Sequence, residues 1–267
     1  MKFNVFFIIC MLYSNIGFSQ DELLSLIDDK SSEYSKYVFK GTKVVNSASV
    51  EMPDAGVLQF MIQHRFGTLN SGFYNFYGLD NSQVRMSFDY GLNDRLSVGI
   101  GRSSSLKAID SNVKYRLIRQ SKGVQTFPLT ICVSSSIVFK QYLTSNSENN
   151  NFLFSNQFSY SHQILLARKV NRQISFQLSP TLIHYNLLPI DQLVHDLYSL
   201  GYGARYKISN RISLNIETFS QFNSENNVNP LSFGIDIQTG GHVFQFHLSN
   251  SAFMIDRAFI HETYDLW

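Results

Sequence analysis

Several segments of the sequence alternate between polar and apolar residues. Charged side chains recur at the polar positions of these segments, where they could bind or guide ions. The set has seven cations and three anions, namely Arg65, Arg85, Lys114, Arg116, Lys140, Arg205, Lys207, Asp89, Glu217 and Asp236. If the segments are strands, residues of one parity share one face, so these ten would line one surface. Rings of Arg and Lys favour anions in a water-filled pore. A filled interior would instead pair the charges, because unpaired buried charge is costly. The sequence leaves both interpretations open.

Histidines offer a second chemistry, metal binding, at His242, His247 and His261-Glu262. His242 and His247 are five positions apart, so in one strand they face opposite sides. One ion with bond lengths of about 2 Å cannot bridge the two faces. We therefore predict no metal site.

Three further motifs suggest catalysis or phosphate binding, and each has a simpler interpretation. Gly99 and Gly101 resemble part of a phosphate loop, but no helix follows to direct its N-terminus at an anion. Inward glycines of a barrel wall more often relieve crowding or allow bending. Cys132 lies between Thr130 and Ser134 without an adjacent His, and Ser134-Ser-Ser136 has no recognisable Ser/His/Asp companion motif. We predict no enzyme and no cofactor.

The elements that must position these residues are strands, because hydrophobicity alternates with a period of two from about Val57 to Ser249. In Ser82–Tyr90, for example, apolar residues occupy the even positions from Val84 and polar residues the odd ones. The charged fraction is 16%, the aromatic fraction 14% and the mean hydropathy −0.09, which suits a wall with one lipid face and one wet face. The net charge of +2 argues neither for nor against nucleic-acid binding, but the sequence has no clustered basic patch of the kind that such binding needs.

The alternation predicts eleven strands joined by loops of alternating length. The strands are 57–66, 83–90, 95–102, 112–119, 128–140, 152–168, 173–185, 198–208, 211–221, 231–239 and 242–249. The long connections are 67–82, 103–111, 141–151, 186–197 and 222–230. Short turns on one side and long loops on the other are typical of outer-membrane barrels. We therefore predict an all-β, antiparallel, up-and-down transmembrane β-barrel of about twelve strands, since bacterial barrels are normally even. The closing strand would be an irregular 251–267 or 37–46, unless the chain stops short of it.

The N-terminus predicts export. Lys2, an apolar run to Tyr13 and Gly17-Phe18-Ser19 form a signal peptide over residues 1–19. We expect mass spectrometry of the mature protein to find Gln20 at the N-terminus; intact Met1 in the membrane form would contradict this. Residues 20–55 are predicted to be a periplasmic segment with a short helix within 21–36, and residues 56–267 the barrel.

Six stretches of the sequence carry a resemblance to a known family, namely Val38–Ser47, Gly56–Gly67, Gly72–Asn81, Leu96–Ser104, Lys114–Leu117 and His242–Ser251. Through them the chain resembles an uncharacterised outer-membrane β-barrel family of Bacteroidota, a domain of unknown function. The resemblance implies a barrel in the outer membrane but brings no known activity and no catalytic residues. It also implies a final aromatic-ended strand beyond the Ile260 region. The sequence ends at Trp267, and it does not decide whether the barrel closes.

Two functions are compatible with these observations. The leading one is passive, either a narrow channel for a small anionic solute or a structural wall protein in the lipid bilayer. The alternative is a surface binding module that uses the loops 67–82 and 186–197. The first of these loops carries four aromatic residues, Phe73, Tyr74, Phe76 and Tyr77. A protein partner is not identifiable from the residues.

Overall fold

The structure is a computed structural model that describes residues 32–141, 153–189, 193–224 and 228–266. The described strands are β1 (Ser32–Tyr34), β2 (Leu58–Phe66), β3 (Ser82–Asn93), β4 (Leu96–Ser103), β5 (Ala108–Ile118), β6 (Ser121–Gly123), β7 (Thr130–Lys140), β8 (Phe158–Lys169), β9 (Ile174–Tyr185), β10 (Asp196–Lys207), β11 (Ile212–Gln221), β12 (Leu231–Thr239) and β13 (His242–Ser249). The described helix is α1 (Asp256–His261), and 3-10 turns cover Leu69–Ser71, Phe73–Gly78, Ser105–Lys107 and Phe154–Gln157. In these ranges no helix is long and apolar enough to cross a membrane.

Eleven strands form one antiparallel sheet in which each pairs with the next along the chain, from β2 to β13. The exception is β6, which forms a separate ribbon with β1. In the described part of the chain no strand joins β2 to β13, so the sheet is open between these edges. The predicted twelfth strand is therefore not found among these residues. The segment after β13 contains α1, and residues 37–46 pair with neither edge.

The alternation of side chains follows the prediction but inverts the pattern of a soluble protein. In β9, Ser175, Gln177 and Ser179 are buried on the inner face, whereas Phe176 is 50% exposed on the outer face. In β3, Ser87 is 1% and Phe88 47% exposed. Apolar side chains thus cover the outside, as a wall against lipid requires.

The connections have the predicted asymmetry with one correction. Short turns at 94–95, 170–173, 208–211 and 240–241 lie at one end of the sheet. The loop predicted at 103–111 is wrong in length, because β5 begins at Ala108 and a 3-10 turn at Ser105–Lys107 makes the connection. The predicted strand start at 112 missed Asp110, a polar residue on the inner parity of β5.

The N-terminal segment differs from the prediction most. The boundary at residue 55 would place residues 20–55 outside the barrel, yet Val38, Phe39, Val44, Val45 and Val50 are buried inside the sheet. They pack against inward apolar wall residues, namely Cys132, Leu165 and Ala167. Residues 38–51, termed the plug below, enter from the short-turn end, where β1 pairs with β6. The predicted signal peptide and residues 21–31 of the predicted helix lie outside the described residues; residues 32–34 form a strand.

The segment after β13 closes the long-loop end. Residues 250–263, termed the cap below, bury Phe259 and Ile260 of α1 against Tyr185, Leu197 and Phe219. These partners are inward residues near the long-loop ends of β9, β10 and β11. Gly201 makes room for the ring of Phe219, since an added Cβ would lie 2.5 Å from it. The sheet is therefore filled by its own chain from both ends.

Candidate functional site: the filled lumen

The structure places all ten predicted charges on the inner parity of their strands. It does not bring them together as a set of mutual ion pairs. Among the described residues, none of the seven predicted cations forms an ion pair with any of the three predicted anions. Most of the charges instead bind the plug, the cap or polar neighbours, so the site is an interface between wall and filling.

Glu217 of β11 is the acceptor for the centre of the plug. Its carboxylate accepts hydrogen bonds from the backbone N–H of Val45 at 3.1 Å, Asn46 at 2.7 Å and Ser47 at 3.1 Å. The Ser47 hydroxyl donates a further bond at 2.8 Å. Because Glu217 is 2% exposed, these donors replace its hydration shell, and charge-assisted bonds of this kind are stronger than neutral ones.

Two cations of the wall donate hydrogen bonds to carbonyl oxygens of the plug, whereas Glu217 accepts hydrogen bonds from its N–H groups. Lys114 Nζ donates to the carbonyl of Ser49 at 2.7 Å and to that of Glu51 at 2.9 Å. Arg205 Nη1 donates to the carbonyls of Tyr37 and Val38, both at 2.8 Å. Main-chain groups of the plug thus serve as the immediate partners of both cations.

Arg65 and Arg116 complete the cationic contacts with the plug. Arg65 Nη2 donates to Oδ1 of Asn46 at 2.5 Å, and Arg116 Nη2 to the carbonyl of Val50 at 3.4 Å. A neutral residue that the sequence analysis missed, Gln177 of β9, both accepts from Val50 N at 3.1 Å and donates to the Ala48 carbonyl at 2.8 Å. Its inward position in a polar strand was the available signal.

Arg85 forms an ion pair inside the lumen with Asp110, a carboxylate that was not predicted from the sequence. Its guanidinium donates to both carboxylate oxygens of Asp110, with Nε 3.0 Å from Oδ1 and Nη2 2.5 Å from Oδ2. Both residues are buried, at 4% and 6% exposure. Asp89, the partner available from the prediction, accepts from Asn112 instead. Side chains at positions 99 and 101 would collide with this network, which explains those glycines without a phosphate ligand.

The remaining charges lie at the two ends. Asp236 accepts from Ser213 at 3.2 Å and Gln245 at 2.8 Å. Lys207 lies toward the short-turn end of β10, partly exposed. Lys140 is the last residue of β7 and lies beside the cap, where it interacts electrostatically with Arg257 and Glu262.

The cap carries its own polar network. Arg257 Nη1 lies 3.4 Å from Oε1 of Glu262, and the Tyr185 hydroxyl donates to the same carboxylate at 3.1 Å. Burial lowers the pKa of His261 to about 4, so this imidazole is neutral at physiological pH. The cap is thus fastened to the wall by hydrogen bonds as well as by its apolar residues.

A small polar cavity of about 50 Å³ separates the plug from the cap. Its lining includes Thr42 and Lys43 of the plug, Asp256 of the cap, and Arg85 and Lys114 of the wall. Because a water needs roughly 10–15 Å³ of such volume, the cavity has room for a few waters.

The histidines and serines form no complete catalytic or metal centre in the described ranges. His242, His247 and His261 lie on the outer face, the inner face and the cap respectively, and no group there could hold a metal. The structure does pair Ser135 Oγ with His162 Nδ1 at 2.8 Å, across β7 and β8 on the outer face. That partner was missed because the two are far apart in sequence. In the same ranges His162 contacts no carboxylate that could orient it.

The loop between β2 and β3 exposes the aromatic residues predicted for a binding surface. Tyr74 is 95% and Phe73 78% exposed, and Phe76 and Tyr77 adopt positive φ angles of 45° and 53°. The second loop, 186–197, is described except for residues 190–192. Aromatic residues at a barrel end also mark the membrane interface, so exposure alone does not indicate a ligand.

Comparison with known proteins identifies one match. Residues 39–267 fit a family model described as "Membrane bound beta barrel domain (DUF5777)". The matched region contains nearly all of the plug, the whole sheet and the cap, so plug and cap are parts of the same domain as the wall. No curated protein and no solved structure matches the chain.

Proposed function

Because the chain belongs to a family of membrane-bound β-barrel domains of unknown function, we propose that it is an outer-membrane barrel occluded by its own chain. In the state described it is a structural wall protein and not an open channel. The observation that carries this proposal is the plug itself, whose backbone is bound across the lumen by Glu217, Lys114 and Arg205.

Three features support the outer membrane as the location. The family description is that of a membrane domain, and strands are the elements that could cross it, with outward residues such as Ile100 (53% exposed) and Phe246 (65% exposed). The N-terminal signal pattern supports export, which membrane barrels of bacteria require. The lipid bilayer is then the principal partner, and the proposal involves no cofactor, no nucleic acid and no catalytic activity.

The occluded state predicts electrical silence. Purified protein inserted in planar bilayers should give no steady current, because the plug and the cap fill the space inside the sheet from its two ends. Folding is verified beforehand by the shift in gel mobility between unheated and boiled samples, and insertion by flotation of the protein with lipid vesicles. A steady ohmic current from folded wild-type protein would refute the proposal and restore the open-channel interpretation.

A binding role for the long loops is not preferred. The exposed aromatic residues of the β2–β3 loop favour a ligand no more than they favour contact with lipid headgroups.

A further inference from the structure

The plug is held in a way that differs from ordinary folding of a chain into its own core. Apart from one isolated bridge between Lys43 and Ala48, residues 38–51 form no regular secondary structure. Their main-chain groups are bound instead by side chains of the wall, on β5, β9, β10 and β11. The polar contacts of the plug with the wall are thus made largely by its backbone, as in the binding of an extended peptide, while its valines and Phe39 pack against apolar wall residues.

The wall behind the plug carries cations that the plug satisfies incompletely. Among the described residues, Lys114, Arg205, Arg65 and Arg116 form no ion pair. The Nε–H groups of all three arginines are buried without a hydrogen-bond acceptor. Glu51, Glu217 and Asp236 act on these cations only at longer range.

Incomplete satisfaction of this kind is costly for a permanent filling. A buried cation without a carboxylate lowers stability relative to an apolar contact of similar volume. The same four residues would be well solvated if water and anions reached them. One carboxylate, Glu51, belongs to the plug and would leave with it, which increases the cationic surplus of the exposed wall.

We propose that residues 38–51 are a displaceable plug that covers an anion-binding surface of the inner wall, formed by Arg65, Lys114, Arg116 and Arg205. Small inorganic or carboxylate anions bind there when the plug withdraws toward the short-turn end. This inference rests on the proposed occluded barrel and adds that one of its two closures is reversible.

The wall contains a natural reporter for plug displacement. Cys132 of β7 is 0% exposed, and its Sγ lies 3.6 Å from the carbonyl of Val50 in the plug. In the exported protein it is the sole thiol, because Cys10 lies in the predicted signal peptide. Two thiol reagents of similar size and opposite charge, sulfonatoethyl and trimethylammonioethyl methanethiosulfonate, therefore measure access and charge preference together.

Two variants should release the plug from different strands. Glu217→Ala removes the acceptor for three backbone N–H groups, and Gly203→Phe occupies the space of Val44, whose methyl carbons lie 3.2 and 3.5 Å from a Cβ placed at Gly203. Each should raise the rate of Cys132 modification on the order of tenfold or more, since hydrogen bonds to charged groups are strong. The matched control is Asp89→Ala, which removes an inward carboxylate that accepts from Asn112 and should leave the rate unchanged.

A disulfide should reverse the effect. A methyl carbon of Val44 lies 3.2 Å from a Cβ placed at Gly203, which is compatible with a disulfide. Oxidised V44C/G203C should therefore suppress modification of Cys132, measured on the Cys132 peptide by mass spectrometry, below the wild-type rate, and reduction should restore it. In the release variants the rate of Cys132 modification should increase more for the anionic reagent than for the cationic one. Both rates are compared with the rate of the same reagent with a small free thiol.

Three results would overturn the inference. Folded release variants that are no more reactive than Asp89→Ala would show that the plug is fixed. Equal gains for both reagents would show that the exposed wall does not favour anions. An oxidised tether without effect would show that Cys132 is reached by another route. All are read on protein whose gel mobility shows folding, and all are distinct from a wild-type current, which would refute the occluded barrel instead.

Discussion

Replacement of Asp110 by alanine should lower the free energy of unfolding by about 3–5 kcal/mol, the largest effect that we expect from one substitution. Arg85 would keep its charge in a buried position and lose the carboxylate that now contacts two of its nitrogens. Its remaining hydrogen-bond partners, Gln63 and Ser87, are neutral, and Asp89 and Asp256 act on its charge without a direct contact. The change in the free energy of unfolding is measured by urea titration of refolded protein, with unfolding monitored by gel mobility or far-UV circular dichroism.

The control for this prediction removes both charges together. Because a buried ion pair is often matched by apolar residues of similar volume, Arg85→Met with Asp110→Leu should recover most of the stability lost in the single variant. If Asp110→Ala alone is as stable as the wild type, water must reach Arg85 and the lumen is more hydrated than the packing indicates.

Placement of arginine at Ile100 should cost about 2–4 kcal/mol, because this outward residue faces the interior of the bilayer. Ile100 is 53% exposed and lies opposite Phe88 of β3. The matched control is Leu92→Arg at the short-turn end of β3, also outward and 49% exposed, where the cost should fall to about 0–1 kcal/mol. Equilibrium unfolding in lipid vesicles measures both. Equal costs at the two depths would place the membrane boundary elsewhere.

The inner face gives no mild reference for this experiment, contrary to what its polarity suggests. By parity alone Ser87 would accommodate arginine, yet it is 1% exposed and its hydroxyl accepts a hydrogen bond from Arg85 Nη1 at 3.1 Å. A second guanidinium there would meet a filled space and a like charge. The inward, polar positions of a barrel wall therefore tolerate arginine only where the lumen holds water.

Some apolar residues on the inner parity could have revealed the filling. Leu165 and Ala167 interrupt the polar face of β8 beneath the plug, and Tyr185 and Phe219 do so beneath the cap. In a water-filled lumen these positions would expose apolar surface to water. Read together, they predict two buried contacts at opposite ends of the wall.

The sequence by itself determined the wall. Side-chain direction in a strand alternates with each residue, so the parity of Phe88 or Ser175 follows from local order, and turn length follows from the residues between two strands. The contents of the lumen were decided by tertiary structure. Val45 and Asn46 have no periodicity, and they meet Glu217 across separations of 172 and 171 residues. No local pattern encodes such a pairing, because Glu217 binds the backbone of the plug, which is chemically the same in almost every segment.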